Sequence, residues 1–330
     1  MSKDGSVNPD DIRIYAGSSN PVFADSIASY LGVPRSPARS GHYSNDSLFV
    51  QLGATVRSRV VIIVQSFSPP VNEHAVELLM MLDAARTAGA SEVHAVIPYF
   101  SYARSDKKDA PRISITGWLM ARLIQEAGAT NVMTTSLHSA QVHGFFDVPT
   151  DPLMARPVFE AYFKQLHLAD TIVVSPDAGR AHYAGRFAQR LNLPLAVGNK
   201  TRISDKRVVV SGLIGDVSGR TRAIVYDDEI ASGTSVIEVI KVLASQRISQ
   251  VWVVCTHGVF AGDALERLSA LPQVQEIIAT DTVPIAPEKR TPKLRVLSVA
   301  PLFGEAIRRN YLRQSIGDLF TFWEEYKAED

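Results

Sequence analysis

The chain has 330 residues, 46% of them hydrophobic, which corresponds to about two domains of roughly 150 residues each. Its 34 basic and 34 acidic residues balance, so the chain lacks the positive charge typical of a general nucleic-acid-binding protein. No apolar run approaches the roughly 20 residues of a membrane span, and the polar first residues, MSKDGSVNPDD, lack the apolar core of a signal peptide. We therefore expect a cytoplasmic protein that binds neither membranes nor nucleic acid, and we expect its single cysteine, Cys255, to be a buried thiol.

Strands and helices alternate along the first half of the chain. A short strand is predicted at 12–15, followed by a small-residue loop and a helix with apolar residues at Phe23, Ile27 and Leu31. The stretch 59–100 gives strand, loop, helix and strand, and an apolar strand is predicted at 131–135.

The second half of the chain repeats this plan. Residues 172–194 and 222–260 again alternate apolar strands, small-residue loops and helices, at a separation of roughly 160 residues from their counterparts. The repetition predicts an α/β protein with two similar domains, each a mainly parallel sheet flanked by helices. We expect one domain at 1–153, joined by the C-terminal segment 302–330, and the other at 154–301, with ligands at the carboxyl ends of the strands.

Two polar stretches are rich in charge. RSDKKDAPR, at 104–112, follows a predicted strand and suits either a triphosphate-sized anion or a solvated surface loop. GNKTRISDKR, at 198–207, is predicted to be a loop after the strand PLAV. Its Lys200 and Arg202 are either groups that contact a polyphosphate or parts of an exposed basic loop.

Other chemistry-bearing residues also follow predicted strands. His138 and His143 come after the strand 131–135 and are either structural residues or ligands. Asp177 follows a strand that ends near Ser175, where a carboxylate could serve a metal, a sugar hydroxyl or a helix N-terminus.

The most informative stretch is 222–235, RAIVYDDEIASGTS. The apolar strand 223–226 ends at Asp227 and Asp228, and a Ser/Gly loop leads into an apolar helical pattern from Val236. Backbone N–H groups of such a loop, the helix N-terminus and nearby hydroxyls favour a bound phosphate, whereas the two carboxylates favour sugar hydroxyls or a metal ion. This pattern indicates a ribose phosphate site, although an ordinary capped turn would have a similar sequence.

Taken together, these stretches resemble the ribose-phosphate pyrophosphokinase family over nearly the whole chain. The segments that carry the resemblance, in order, are GSSNPVFADSIASYLG, HYSNDSLFVQL, VNEHAVELLMMLDAAR, PYFSYARSDKKD, LHSAQVHGFFDVPTDPLMARP, SPDAGRAHYA, GNKTR, IGDVSGRTRAIVYDDEIASGTS, THGVFAGDALERL, TDTVP and RVLSVAPLFGEAIRR. The family has two phosphoribosyltransferase-like domains. The resemblance implies transfer of a diphosphoryl group from ATP to the anomeric hydroxyl of ribose 5-phosphate, with Mg²⁺, to give phosphoribosyl diphosphate and AMP.

The family pattern also implies roles for individual residues. Lys200 and Arg202 would stabilise the transferring group, and His138 and Asp177 would lie at Mg²⁺ sites. The implied ribose 5-phosphate-binding residues are Asp227, Asp228, Ala231, Ser232, Gly233, Thr234 and Ser235. The resemblance also implies that the second domain binds the sugar and the first binds ATP. The implied ATP-binding residues are Tyr43, Asn45, Asp46, Ser47, Arg104, Ser105 and Asp106. Members are usually hexamers built from dimers, so the resemblance implies a homo-oligomer and possible regulation by phosphate and ADP.

The chain departs from the family pattern at four site positions. Ser47 stands where a Glu is usual, Ser105 where a Gln is usual, Ser136 where an Asp precedes the metal His, and Ala231 where many members have Asp. We therefore expect an active but divergent enzyme. The alternatives are a non-catalytic regulatory paralogue of the synthase and a phosphoribosyltransferase.

Overall fold

A computed structural model describes residues 6–204 and 207–319, and along 200–204 and 207–211 it describes the backbone only. The chain divides into two compact units. The first runs to Met154 and also includes Thr282–Pro284 and the chain from Val299 onward, and the second comprises Ala155–Asp281 and Ile285–Ser298. The return of Thr282–Pro284 to the first unit has no signal in the local sequence pattern.

A parallel five-stranded sheet forms the centre of the first unit. Its strands, in spatial order, are β1 (Ile12–Ala16), β4 (Val60–Val64), β5 (Glu92–Ile97), β6 (Asn131–Thr135) and β7 (Thr150–Leu153). A separate antiparallel hairpin joins β2 (Ala38–His42) to β3 (Leu48–Leu52). The near-continuous apolar composition of strands such as β4, VVIIV, follows from helices covering both faces of the sheet.

Four helices accompany this sheet. They are α1 (Pro21–Leu31), α2 (Val71–Thr87), α3 (Thr116–Glu126) and α8 (Ala300–Tyr311). Buried residues of α2 and α3 share one core with Tyr15, Val61 and Ile63. The C-terminal helix α8 packs on α1, where Phe23 and Phe303 are both buried.

The second unit has a seven-stranded sheet. Its spatial order is β10 (Arg207–Ile214), β9 (Leu195–Ser204), β8 (Thr171–Ser175), β11 (Arg222–Ile230), β12 (Gln250–Gly258), β13 (Val274–Thr280) and β14 (Leu294–Leu297). All neighbours are parallel except the edge pair β9 and β10, which is antiparallel. The unit's helices are α4 (Arg156–Phe163), α5 (Ala181–Arg190), α6 (Thr234–Ser245) and α7 (Ala264–Ser269).

The two faces of the central strand β11 are covered by different helices. Ala223 and Val225 belong to the core that contains the buried residues of α6. On the other face, Tyr226 stacks on Phe187 of α5, with ring centroids 4.6 Å apart, and meets Phe159 of α4 edge to face. This alternation follows from the two-residue period of a strand.

Short 3-10 turns follow several strands and flank the C-terminal helix. They span Ser101–Arg104, Ala140–Phe145, Ala178–Arg180, Pro287–Lys289 and Gly317–Leu319. Among the described residues, none of the helices has both the length and the apolar character needed to cross a membrane.

The predicted α/β architecture with mainly parallel sheets is confirmed, but two local predictions were wrong. The strand expected to end at Tyr226 continues to Ile230, because Asp227 and Glu229 remain paired with β12. The expected loop at 198–207 is mostly strand, since the backbone of 198–204 pairs with β10 to form the antiparallel edge of the sheet.

Candidate active site

The candidate ribose phosphate site lies at the carboxyl end of β11, between the ends of β8 and β12. Val225 pairs with Val174 on β8, and Asp227 pairs with Cys255 on β12. Asp177 lies two residues beyond the end of β8 and therefore at the same edge of the sheet. A parallel sheet collects the side chains that follow its strands at one edge, which is why residues distant in sequence meet here.

The paired carboxylates of β11 create an electrostatic strain that a ligand could relieve. The Asp227 carboxylate accepts a hydrogen bond from the backbone N–H of Asp228, at 2.9 Å. Burial raises the pKa of Asp227 well above its usual range, and the neighbouring charges of Asp228 and Asp177 raise it further. Hydroxyl donors or a cation at this edge would favour the charged form of Asp227.

A buried thiol also lies at this edge of the sheet. Cys255 is fully buried, as predicted, and burial together with the charges of Asp227 and Asp228 raises its pKa well above the usual value. Burial and these charges both disfavour the thiolate.

Sequence reasoning missed Arg180, which belongs to this edge. Its guanidinium Nη2 donates to Asp228 Oδ2 at 2.5 Å, and the two side chains are only 10% and 12% exposed. Arg180 ends the turn Ala178–Arg180, 48 positions before its partner, and no local pattern links the two residues.

The loop after β11 ends at the N-terminus of α6. Gly233 has a φ of 72°, a conformation that glycine adopts without strain, and it occupies the N-cap of α6, where it offers no capping side chain. The first N–H groups of α6 therefore remain available to an anion, and the positive end of the helix dipole adds to their attraction. Beside them, the hydroxyls of Ser232 and Thr234 lie 3.2 Å apart.

The segment that follows β12 forms hydrogen bonds to the same loop. Phe260 N–H donates to the Ile230 carbonyl and Ala261 N–H donates to the Ala231 carbonyl, each at 3.0 Å. Arg267 of α7 donates to the Ser232 carbonyl at 2.7 Å and also pairs with Asp263. These contacts fix the backbone of Ala231 and Ser232, and no local sequence pattern indicates this role of Arg267. Ser235 follows in the first turn of α6 and is partly buried.

The predicted catalytic cations lie on β9, beside the edge strand β10. The backbone of Lys200 pairs with Val210 and that of Arg202 pairs with Val208. Their side chains lie outside the described residues, so their roles stay predictions.

In the first unit, the expected ATP-binding residues Arg104, Ser105 and Asp106 follow β5. Arg104 is exposed at the end of its 3-10 turn. The Ser105 hydroxyl accepts from the Thr116 N–H at 3.0 Å, at the start of α3, and donates to the Ser114 carbonyl at 3.1 Å. This serine therefore closes the charged loop onto α3, a structural function that the ligand-binding prediction did not include.

The loop after β6 contacts the loop after β5. Gln141 donates to the Asp106 carboxylate at 3.0 Å, so the two loops that carry Arg104 and His138 are joined at the same edge of the first sheet. His138 is partly buried there, and Ser136 adopts a φ of 45° directly after β6.

The remaining predicted ATP-binding residues form the tip of the β2–β3 hairpin. Tyr43 is 61% exposed and its ring lies 5.2 Å from that of Phe49. The turn is closed by Asp46 N–H donating to the Tyr43 carbonyl, and the Ser47 hydroxyl donates to the Asn45 side-chain oxygen at 2.6 Å. The tip thus presents an aromatic face on a hydrogen-bonded turn.

Carboxylates and imidazoles at these strand ends are possible ligands for magnesium. Among the residues that the structure describes, no group of three or more His, Cys, Asp or Glu side chains is arranged as a metal site. Mg²⁺ typically takes one or two carboxylates and completes its shell with water and substrate phosphates. Asp177, whose charge raises the pKa of Asp227, fits that pattern of binding.

Comparisons with known proteins agree with this architecture. Residues 12–128 match the N-terminal domain of ribose phosphate pyrophosphokinase, and residues 201–321 match the phosphoribosyl synthetase-associated domain. A Streptomyces coelicolor protein is 49% identical over 94% of this chain and 98% of that protein. The ribose-phosphate pyrophosphokinase of Deinococcus radiodurans is 45% identical, with the same coverage of both chains.

A solved structure gives the same result in three dimensions. The crystal structure of phosphoribosylpyrophosphate synthetase from Mycobacterium smegmatis superposes with a TM-score of 0.85 and 33% identity, covering 92% of this chain and 99% of that one. Together with the carboxylates and the Ser/Gly loop at the end of β11, these matches lead to one conclusion. The chain belongs to the ribose-phosphate pyrophosphokinase family.

Proposed function

We propose that this protein is a ribose-phosphate diphosphokinase, which transfers the β,γ-diphosphoryl group of ATP to the anomeric hydroxyl of ribose 5-phosphate. The observation that carries the proposal is the continuous run from Asp227 to the N-terminus of α6. Within this run, the carboxylate of Asp227 is suited to sugar hydroxyls and the N-terminus of α6 is suited to a phosphate.

Ribose 5-phosphate would bind at this run in a defined orientation. The 5-phosphate sits at residues 231–235, where the N-terminus of α6 and the hydroxyls of Ser232, Thr234 and Ser235 supply donors. Asp227 accepts hydrogen bonds from the ring hydroxyls. Because the two ends of the sugar are held by groups of opposite character, the anomeric hydroxyl is oriented for reaction.

The transfer itself requires positioning and charge neutralisation. The anomeric oxygen attacks the β-phosphorus of ATP, the bond from that phosphorus to the α,β-bridging oxygen breaks, AMP leaves, and the hydroxyl proton passes to solvent. Lys200 and Arg202 neutralise the charge on the transferring group, so no covalent intermediate on the protein is needed.

ATP would be held by residues of the first unit. Tyr43 stacks on the base, the hairpin tip at Asn45–Ser47 contacts the nucleoside, and Arg104 with Asp106 and Ser105 lies in the loop that meets the nucleotide. Asp177 and His138 would lie at Mg²⁺ sites, and Mg²⁺ bound at such sites would neutralise phosphate oxygens. The oxygen donor fits this metal better than the imidazole does.

We also propose a homo-oligomer built from dimers, up to a hexamer, with phosphate and ADP as effectors. The exposed Tyr43 supports this proposal, because in the family such an aromatic reaches the adenine of a neighbouring subunit. Native mass spectrometry tests the assembly, and assays with added phosphate or ADP test the effectors.

The decisive experiment is phosphorus NMR of the purified protein with ATP, ribose 5-phosphate and Mg²⁺, with and without inorganic phosphate. Equal amounts of AMP and phosphoribosyl diphosphate are expected. Intact ATP in every condition, from folded protein, would instead support a non-catalytic regulatory paralogue. Turnover that needs a nucleobase and releases diphosphate would indicate a phosphoribosyltransferase.

A further inference from the structure

We propose that Arg180 is a positioning residue that holds Asp228 on one face of β11, so that Asp227 alone is presented to the ribose hydroxyls. The inference rests on the proposed function, because it assigns separate tasks to two carboxylates of the same sugar site. It concerns a residue in the turn after β8 that contacts Asp228 and acts through it.

The geometry of β11 separates the two carboxylates. Successive side chains of a strand point to opposite faces, so Asp228 shares its face with Tyr226, and Asp227 shares its face with Val225. Tyr226 packs against Phe187 of α5, and Val225 belongs to the core under α6. Asp228 therefore lies on the α5 side, where Arg180 begins that helix, and Asp227 lies on the α6 side, where the phosphate loop begins.

Arg180 is itself held in place. Its guanidinium carbon lies 5.3 Å from the centroid of the Tyr183 ring, which is one turn further along the chain. The negative face of the aromatic ring attracts the guanidinium cation. The Nη2 to Oδ2 distance of 2.5 Å and the low exposure of both side chains describe a pair that is largely removed from water. The orientation of the Asp228 carboxylate is therefore set before any substrate arrives.

Stability alone does not account for such a pair. Removing two charges from water costs about as much as their mutual attraction returns, so an apolar pair of similar volume often serves a fold equally well. A buried arginine at a carboxylate-rich edge has a second effect. It offsets one negative charge close to Asp227, Asp177 and the place where a phosphate dianion would bind.

Loss of Arg180 would therefore weaken the binding of ribose 5-phosphate rather than the binding of ATP. In Arg180→Met, Asp228 keeps its charge without this partner and repels both Asp227 and the 5-phosphate. We expect the Kd and KM for ribose 5-phosphate to rise about tenfold, in the range of couplings between contacting charged residues, while the KM for ATP changes less than twofold. Arg180→Lys retains the charge and should recover most of the affinity.

The test combines calorimetry and a double-mutant cycle on the full chain. Binding of ribose 5-phosphate is measured by titration calorimetry, without ATP, for the wild type, Arg180→Met, Arg180→Lys, Asp228→Asn and Arg180→Met with Asp228→Asn. The inference predicts that Asp228→Asn rescues Arg180→Met, because the negative charge that Arg180 offsets in the wild type is gone. Additive losses, or a fall in kcat with the Kd and KM for the sugar unchanged, would overturn it.

The experiment distinguishes a folding defect, a failure of the proposed function and a failure of the role of Arg180. If Arg180→Met fails to fold, Arg180→Lys and Asp228→Asn carry the same comparison of sugar and nucleotide affinity. If the wild type binds ribose 5-phosphate but forms no AMP, the proposed function fails while the calorimetric cycle still decides the role of Arg180. If the wild type turns over and Arg180→Met binds the sugar normally, only the role of Arg180 is overturned.

Discussion

Gly233 lies so close to Leu268 that a Cβ added to the glycine would stand 3.3 Å from Leu268 Cδ1. The residue also needs a φ of 72°, which costs a residue with a Cβ about 1–2 kcal/mol. We expect Gly233→Ala to lower the free energy of unfolding by at least about 1 kcal/mol and to raise the KM for ribose 5-phosphate, because the N-terminus of α6 moves. Denaturant titration and steady-state kinetics measure the two effects.

Gly219 provides the matched control for that substitution. Its φ is 71°, but a Cβ there would meet nothing within 4 Å. Gly219→Ala should therefore show the backbone cost of about 1 kcal/mol without a change in the KM for the sugar. Equal kinetic effects of the two substitutions would argue against a phosphate site at the start of α6.

Lys200 is the residue whose loss should most affect turnover. We expect Lys200→Ala to lower kcat on the order of 100-fold, because the transferring group loses a cation, while circular dichroism and the unfolding midpoint remain those of the wild type. Lys241→Ala, on the exposed side of α6, is the control and should keep full activity. Full activity of Lys200→Ala, measured as AMP formed, would contradict the proposed mechanism.

Substitution of Tyr43 should change the KM for ATP and leave the KM for ribose 5-phosphate unchanged. Loss of the exposed ring in Tyr43→Ala removes a stacking surface worth about 1 kcal/mol, so the KM for ATP should rise roughly fivefold while the KM for ribose 5-phosphate stays the same. Tyr43→Phe keeps the stacking face and should behave like the wild type. An unchanged KM for ATP in the alanine variant would remove the hairpin tip from the nucleotide site.

The contact between α1 and α8 should weaken in acid. Glu305 accepts from Arg308, Arg309 and the Tyr30 hydroxyl, and these partners, Arg308 foremost, lower its pKa to about 2. A carboxylate with a depressed pKa in the folded state contributes stability that is present above its unfolded pKa of about 4.3 and is lost as the pH falls towards 2.

Urea unfolding of the wild type and Glu305→Gln across pH 7 to 3 measures this contribution. The difference in unfolding free energy should be constant above about pH 5 and should shrink below it. Glu266→Gln, on the exposed side of α7, is the control, and its unfolding free energy should depend on pH in the same way as that of the wild type. A difference that stays constant down to pH 3 would show that Glu305 does not stabilise the fold through its charge.

Much of the fold follows from local sequence patterns. The apolar spacing of Val236, Ile237, Val239, Ile240 and Leu243 predicted α6, and all five of these residues are buried. Alternating strands and helices predicted the parallel sheets, because only that arrangement buries such apolar strands on both faces.

The two wrong local predictions and the missed contact of Arg180 have physical causes. Asp227 and Glu229 resemble a strand end, yet backbone pairing with β12 does not depend on side-chain polarity, so the strand continues. The backbone at Lys200 is in a strand because a long-range partner, β10, extends it. The contact of Arg180 with Asp228 joins residues 48 positions apart, and no periodic pattern encodes a contact at that distance.

The way the chain divides between the two units has a consequence for synthesis on the ribosome. The chain leaves the first unit after Met154, returns for Thr282–Pro284 and returns again at Val299, and helix α8 then packs on α1. Neither unit is complete as a continuous stretch of chain, since β14 of the second unit is translated shortly before α8 of the first. Each unit is therefore completed only when the last tenth or so of the chain has been made, whereas the buried cores, drawn from residues 15–146 and 172–279, are synthesised before it.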